Sequence, residues 1–473
     1  MIPKNRHLAI NHVALEFLLL NLSLLAVLLF RLPGMMQIPP VEPTLGDFLW
    51  LTVILNLSWG AIVFLNGDLD LYLNFGFRKR MKYVVLNTLF LVGITYILGT
   101  VFNIEYIQQT NFLIPIFLFL LINLALFEYY GRKRKNVSLA RALVVGKGSE
   151  WSAISGFSKK IRRRGYDIVG YLDNEGGRQN STDELKVMGK VDELTRILGN
   201  NDIDEIFVTV SSLREEEIKN TIEVADYYGI RVNLLPGAPN FLDDNTRPSY
   251  LGENVRPSYL AGLPVIRVRQ TPLDKLHYFL LKKVFDFVFA LGVLLILSPI
   301  FMVIAALIYL DNKGPIFYKP VRKGEAGGSF KCYKFRTMSS CDDPLNGTKS
   351  TVKNDPRITR VGKYLRKYDL DELPQFINVL KGDMSVVGPR PHRVFLEQDF
   401  RKVVNDYMVR HYVKPGVTGW AQVNGWRGPT VTNEQKRQRI KHDLWYIENW
   451  SFWMDIKIVF LTVFSKKTRK NAF

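Results

Sequence analysis

Two adjacent carboxylates, Asp371 and Glu372, stand in the stretch Asp369-Leu-Asp-Glu-Leu-Pro-Gln-Phe-Ile-Asn-Val-Leu-Lys-Gly-Asp-Met-Ser-Val-Val-Gly-Pro-Arg-Pro391. Phosphoryl transfer needs a nucleophile or metal ligand, a second acidic group, and fixed positive charge where phosphate oxygens rest. Asp371 and Glu372 are of the right types for the first two, and Arg366, Lys381 and Arg390 are near enough in sequence for the third. The same residues also have a purely local reading. Asp369 with Glu372 three residues on has the spacing of an acidic cap, Pro374 suits the first position of a helix, and a helix N-terminus favours acids through its dipole alone. The pattern leaves both readings open.

Beyond this stretch, Gly314-Pro-Ile-Phe-Tyr318 and Phe330-Lys-Cys-Tyr-Lys-Phe-Arg-Thr-Met338 precede the acids, and Lys414-Pro-Gly-Val-Thr-Gly-Trp-Ala-Gln-Val-Asn-Gly-Trp-Arg-Gly428 follows them. In the second of these, Lys334 and Arg336 alternate with aromatics, as on a strand with one basic face or on a solvated edge strand. Taken with Leu370 to Gln375, Asn378 to Ser385 and Gly388 to Pro391, the chain resembles the bacterial sugar transferases, polyprenyl-phosphate phosphoglycosyl transferases with a monotopic catalytic domain, and in particular their large polytopic, exopolysaccharide-initiating type. The resemblance implies catalysis by Asp371 and Glu372, both also bound to Mg2+, and phosphate or nucleotide binding by Arg366, Lys334, Arg336, Pro389, Arg390, Pro391 and Arg427. Position 369 departs from the pattern, where a serine or other short polar residue is expected, and Asp369 adds a third carboxylate.

These residues must be placed by the rest of a 473-residue chain that is 47% hydrophobic and carries a net charge of +19. Long apolar runs at residues 13–30, 48–65, 83–102 and 112–127 are near the length of about 20 residues that spans a bilayer. Basic residues Arg78, Lys79, Arg80 and Lys82 lie between the second and third runs and Arg132, Lys133, Arg134 and Lys135 after the fourth, which places both ends of the four-helix block in the cytoplasm. The first run has no small-residue cleavage site after it and reads as a retained anchor. The positive charge suits acidic lipid headgroups, a polyprenyl phosphate or a nucleotide diphosphate. No zinc, basic-zipper or RNA-binding signature points to nucleic acid. Two cysteines, Cys332 and Cys341, make no disulfide framework and no metal set.

From about residue 139 the pattern becomes that of an α/β unit. Strands are expected at residues 141–146, 203–210 and 230–234, with helices at 191–198 and 215–228, a parallel Rossmann-like sheet. Gly146-Lys147-Gly148 begins a dinucleotide fingerprint, but Trp151 takes its third glycine position, and a tight strand-to-helix turn explains the two glycines equally. The region resembles the CoA-binding-like accessory domain of the larger family members. A basic, Pro-spaced stretch follows, and then an uncharged run at 287–310 interrupted by Ser298-Pro299. Pattern alone favours a kinked span. A further crossing would put the basic C-terminal half outside, and the family is described as having a re-entrant helix bent at a Ser-Pro, so Ser298 and Pro299 are expected to mark a re-entrant kink, with Asp286 and Asp311 at its wet ends. The expected fold is therefore a membrane protein of three domains and a linker: a four-helix transmembrane bundle (1–135), a cytosolic Rossmann-like domain (136–245), a linker (246–279) and an α-rich α/β catalytic domain (280–473) anchored by a re-entrant helix at about 284–310. The Trp-rich closing segments suit a membrane interface.

The resemblance implies transfer of a sugar 1-phosphate, glucose before galactose, from a UDP-sugar to undecaprenyl phosphate, with release of UMP through a phospho-aspartyl intermediate. It further implies a multi-pass inner-membrane enzyme of exopolysaccharide, capsule or lipopolysaccharide synthesis, in contact with anionic lipid and forming a homodimer. Two other readings remain: a membrane-anchored nucleotide-binding regulator, and a diphosphate hydrolase.

Overall fold

The computed structural model describes residues 6–29, 45–66, 77–104, 113–133, 139–146, 161–162, 165–174, 187–236, 258–260, 263–339, 355–428 and 430–465. Cys341, the turn beyond Gly146 and the basic residues at 466–470 lie outside them.

The four N-terminal apolar runs form helices α1 (Arg6–Leu29), α2 (Leu45–Asn66), α3 (Phe77–Val101) and α4 (Leu113–Lys133). Each gives a side chain to one core, where Leu20, Leu55, Leu91 and Phe119 are fully buried. Trp59 meets Phe119 edge to face at 5.1 Å, and Asn21 and Asn56 exchange amide hydrogen bonds of 2.9 Å between α1 and α2. The outward faces are apolar as well, with Leu57, Phe90 and Phe117 exposed. A helix that is apolar on all sides is suited to a protein core or to lipid. Among the described residues α2 and α3 contain stretches long and apolar enough to cross a membrane, Gly46–Val63 and Met81–Val101, while α1 and α4 contain shorter ones, Val13–Ala26 and Leu113–Ala125.

In a second unit, strands β1 (Ala140–Val145), β2 (Tyr166–Leu172), β3 (Val187–Gly189), β4 (Glu205–Thr209) and β5 (Arg231–Leu235) alternate with helices α5 (Leu194–Asn200) and α6 (Glu215–Tyr228). They line up as β3-β2-β1-β4-β5, the strand order of a doubly wound sheet. The stretch read as linker corrects the expected boundary. Within it β6 (Ser258–Leu260) and β7 (Leu263–Arg267) extend this sheet, β7 running antiparallel to β5. The arginines that made the segment read as a connection hide a short strand whose Val265 and Ile266 are buried.

Helix α7 (Leu276–Asp311) carries Pro299 in its interior. A proline removes the hydrogen bond to the carbonyl four residues back, here Leu295, and Ser298 Oγ donates to that carbonyl at 2.8 Å. The two expected wet ends differ. Asp311 is exposed and accepts from the Val361 amide at 3.1 Å, whereas Asp286 is buried, accepting from Ser385 Oγ at 3.0 Å and the Val386 amide at 2.9 Å. Burial is possible because Lys282 lies beside it, 4.0 Å away, and is itself paired with Asp455 at 2.6 Å.

The remainder packs around Val386, Val387, Phe400, Tyr407, Ile440, Ile447 and Ile458. Its strands are short: β8 (Phe317–Tyr318) with β11 (Lys334–Phe335), β9 (Val321–Lys323) with β10 (Ser329–Lys331), and β12 (Ser385–Val387) parallel to β13 (Gly416–Thr418). Helices α8 (Arg360–Lys367), α9 (Gln375–Lys381), α10 (Asn433–Glu448) and α11 (Phe452–Phe464) surround them.

Candidate active site

Asp371 sits on a single turn held between two helices. Thr359 caps α8, accepting from the Gly362 amide at 3.0 Å. Gly362 is needed because a Cβ there would lie 2.2 Å from the Thr337 carbonyl oxygen. That close approach lets Arg366, one turn on, donate to Thr337 Oγ1 at 3.0 Å. The chain then reverses at Asp369, whose φ of 58° is left-handed, a conformation that a short side chain such as aspartate tolerates better than most. A 3-10 turn, Leu370–Glu372, follows, and Pro374 leads into α9.

The capping reading is not what these acids do. Asp369 occupies the N-cap position of the turn without a side-chain cap bond. Its carboxylate is instead gripped by both guanidinium nitrogens of Arg427, at 2.8 and 2.6 Å. The third carboxylate is thereby neutralised, and Arg427 is turned toward Asp369, 3.9 Å from Glu372.

Glu372 is buried and saturated with cations. Lys334 donates to Oε1 at 2.7 Å, and Arg390 donates to both oxygens, at 2.6 and 3.0 Å. Against the upward push of its burial, Arg390 and Lys334 hold the Glu372 carboxyl well below the usual carboxylate range. Asp371 is the opposite case. It has no hydrogen-bond or ion-pair partner among the described residues. Burial, with the neighbouring Glu372 and Asp369 charges, pushes its carboxyl up to about 6, against the pull of Lys334 and Arg366.

Arg390 is set by its loop. Pro389 and Pro391 fix the backbone on either side of it, and the Pro389 carbonyl accepts from the Gly416 amide at 3.0 Å. Gly388 and Gly416 pass so closely that a Cβ on Gly416 would lie 2.0 Å from the Gly388 nitrogen. The Lys414–Gly428 stretch thus includes a glycine that lets β13 lie against the Gly-Pro-Arg-Pro loop. Arg336, expected to bind phosphate, is directed elsewhere: its guanidinium donates to the Asn312 carbonyl just after α7. Lys334, two residues earlier, reaches the site.

Several residues of this neighbourhood had no signal in the sequence. Arg410 donates to the Arg390 carbonyl at 2.7 Å and to Asp443 at 2.8 Å, both members of the pair being buried. His392 and Tyr407 pair at 3.1 Å. Burial and the nearby Arg393 and Arg390 charges bring the Arg322 guanidinium down to about 10. Cations outnumber acids here, as an anion-binding site requires. Gln375 Oε1 and His392 Nε2 are buried without a hydrogen-bond partner among the described residues.

The bacterial sugar transferase family matches residues 277–469, and a CoA-binding domain matches residues 76–236. A UDP-glucose:undecaprenyl-phosphate glucose-1-phosphate transferase of Xanthomonas campestris pv. campestris is 36% identical over 344 residues, 72% of this chain and 69% of that protein. The chain belongs to the bacterial sugar transferase family. Two proteins of the same printed name support the assignment. That of Klebsiella pneumoniae is 37% identical over 73% of this transferase and 71% of its own length, and that of Escherichia coli (strain K12) is 48% identical over 45% of this transferase and 46% of its own length. The transferase is an enzyme, its motif-bearing residues lie in the matched region, and its apolar helices make it a membrane protein.

Magnesium binds through one or two carboxylates together with substrate phosphates and water. Among the described residues no group of three or more His, Cys, Asp or Glu forms a metal site. The donor set fits an ion brought in with a diphosphate. Asp371 has free oxygens for it, while Glu372 would have to exchange a cation.

Proposed function

We propose that this transferase moves a sugar 1-phosphate, glucose being the favoured sugar, from a UDP-sugar to undecaprenyl phosphate and releases UMP. The observation that carries the reading is the division of labour within the dyad: Glu372 is locked by Lys334 and Arg390, while Asp371 beside it is a carboxylate with free oxygens. An Asp371 oxygen attacks the sugar-linked phosphorus. The bond from that phosphorus to the UMP oxygen breaks, and UMP leaves with the electron pair. An oxygen of the lipid phosphate then attacks the same phosphorus, the acyl-phosphate bond breaks, and Asp371 is regenerated as carboxylate. No proton needs to move, because at neutral pH a carboxyl that titrates at about 6 is already ionised. Arg390 and Lys334 keep Glu372 in place and present positive charge to the diphosphate, with Arg366 close to the attacking carboxylate. Mg2+, held by Asp371 and by Glu372 when it exchanges a cation, would neutralise phosphate charge in the bound substrate.

The same proposal places the enzyme in the bacterial inner membrane, at the first membrane step of exopolysaccharide or capsule synthesis. Its α1–α4 form a multi-pass bundle, its other domains lie in the cytoplasm, and α7 is re-entrant. Two observations support a re-entrant α7. Its 36 residues would extend about 54 Å as a straight helix, against a hydrocarbon core of about 30 Å. Both ends also bind the catalytic unit: Lys282 contacts Val387 and Asp455, and Ile304, Ile308 and Asp311 contact Phe335, Leu365 and Val361. Between them Leu295 and Ile296 are exposed. On α11 the exposed Trp453, Phe460 and Phe464 suit the same interface and its anionic lipid. The homodimer rests on the family resemblance.

The test is UMP release from UDP-glucose, UDP-galactose and other UDP-sugars with magnesium and undecaprenyl phosphate, for wild type and Asp371→Asn. One sugar giving lipid-dependent UMP and a dead variant is the expected result. Equal release by both proteins would end the covalent reading, and free sugar phosphate without lipid would make the enzyme a hydrolase.

A further inference from the structure

The 3-10 segment Asn405–Tyr412 has two working faces. The segment kinks at Asp406; the contacts of Asp406 and Tyr412 lie on one face, while beyond the kink Tyr407 and Arg410, three apart, share the other. The first face meets the α/β domain. Arg269, following β7, clamps Asp226 of α6 with bonds of 2.8 to 3.1 Å and reaches Asp406 at 3.3 Å and Glu448 at 3.1 Å. The Tyr412 hydroxyl donates to the Ile230 carbonyl at 3.3 Å, and the Arg231 guanidinium lies 4.4 Å over its ring. Between them Gly229, with φ of 73°, brings the end of α6 so close that a Cβ there would lie 3.0 Å from Met408 Cβ. The second face meets the active-site loop. Arg410 donates to the Arg390 carbonyl at 2.7 Å, and Tyr407 pairs with His392 at 3.1 Å.

We propose that Arg410 is a positioning residue for Arg390 and that the α/β domain, through Arg269 and Tyr412, holds the Asn405–Tyr412 segment so that Arg410 can do so. This rests on the function proposed above. The domain so far described as accessory then controls how firmly Arg390 grips Glu372 and the nucleotide's diphosphate. Arg410 touches no reacting atom. Its guanidinium is kept in place by Asp443 on α10, and it acts through a backbone carbonyl, fixing a loop whose arginine lies between two prolines.

Removing Arg410 would strand the buried Asp443 charge, so the test works from the outer face. Full-length protein in lipid nanodiscs is compared as wild type, Arg269→Gln, Tyr412→Phe and a control, Lys219→Ala, which breaks only a surface ion pair on α6. Two readouts are taken: hydrogen exchange of residues 388–393, and KM separately for UDP-glucose and undecaprenyl phosphate. Arg269→Gln should speed exchange at both 405–412 and 388–393 and raise the UDP-glucose KM, each by about two- to thirtyfold, the range usual for coupled sites. Tyr412→Phe should do the same to a smaller extent, the undecaprenyl phosphate KM should not move in either variant, and Lys219→Ala should match wild type. Faster exchange at 405–412 with wild-type exchange at 388–393 overturns the proposal, as does a loosened 388–393 with an unchanged UDP-glucose KM. If wild type shows no lipid-dependent UMP release, the functional reading has failed by itself, and exchange at 388–393 still decides whether the domain positions the loop.

Discussion

Two clusters of charge, one against β12 and one around the acidic pair, are built on opposite rules. In the first Lys282, Asp286 and Asp455 are buried and fully engaged. Lys282 reaches Asp455 and the Val387 carbonyl, Ser385 and the Val386 amide serve Asp286, and the Tyr446 hydroxyl lies 2.7 Å from Asp455. In the second Asp369 and Glu372 are paired, Asp371 is not, and cations are in excess. A saturated network can only hold the chain together, and here it fastens α7 and α11 to the strand that leads into the Gly-Pro-Arg-Pro loop. An unsaturated one is prepared for something that arrives.

Perturbing single members should separate the two. Asp371→Asn should lower transfer by about a thousandfold or more, as loss of a nucleophile does, without unfolding the protein. A carboxyl raised to about 6 in the fold stabilises the fold below its unfolded value, and that contribution is lost as pH rises through about 6. At pH 7.5 the variant's Tm should therefore equal or exceed that of wild type, and a lower Tm would mean Asp371 belongs with the structural cluster. Lys282→Met should do the reverse. It leaves Asp455 charged and buried, a change that destabilises by about 3–5 kcal/mol, visible in denaturant unfolding, and its activity should fall only with the folded fraction.

Smaller effects sharpen the contrast. The wild-type rate should rise with pH through about 6 and then level off, as Asp371 ionises. Glu372→Gln should slow transfer by about a hundredfold, as loss of a fixed electrostatic partner does, and should move that midpoint downward, because a repelling charge is gone and Lys334 is released to attract Asp371. A midpoint that stays put would show that the two carboxyls do not sense each other. Asp369→Asn should change stability by less than about 1 kcal/mol, since the Arg427 pair is partly exposed.

The membrane helices were legible because continuous apolarity is a property of neighbours in the chain, and so were β1, β4, β5 and α6 of the sheet. The dyad was legible as a motif, though the pattern could not separate capping from catalysis. Strand β7 was not, because its burial depends on β5, some thirty residues earlier, and the arginines in and around it made it look solvated. Nor was the redirection of Arg336 to Asn312, for alternation along a strand shows which side chains share a face without showing what lies opposite.

The acidic pair and its flanking basic motifs, the long apolar helices and the proline that interrupts α7 follow from the amino-acid sequence alone, since residue type and local spacing determine each. Which carboxylate stays free was decided only by the tertiary structure. Asp369 is neutralised by Arg427 from 58 positions away, Glu372 is locked by Lys334 and Arg390 from 38 and 18, and Lys282 is tied to Asp455 across 173. Charge acts through space, so the partner that silences one acid and spares its neighbour is chosen by folding and cannot be read along the chain.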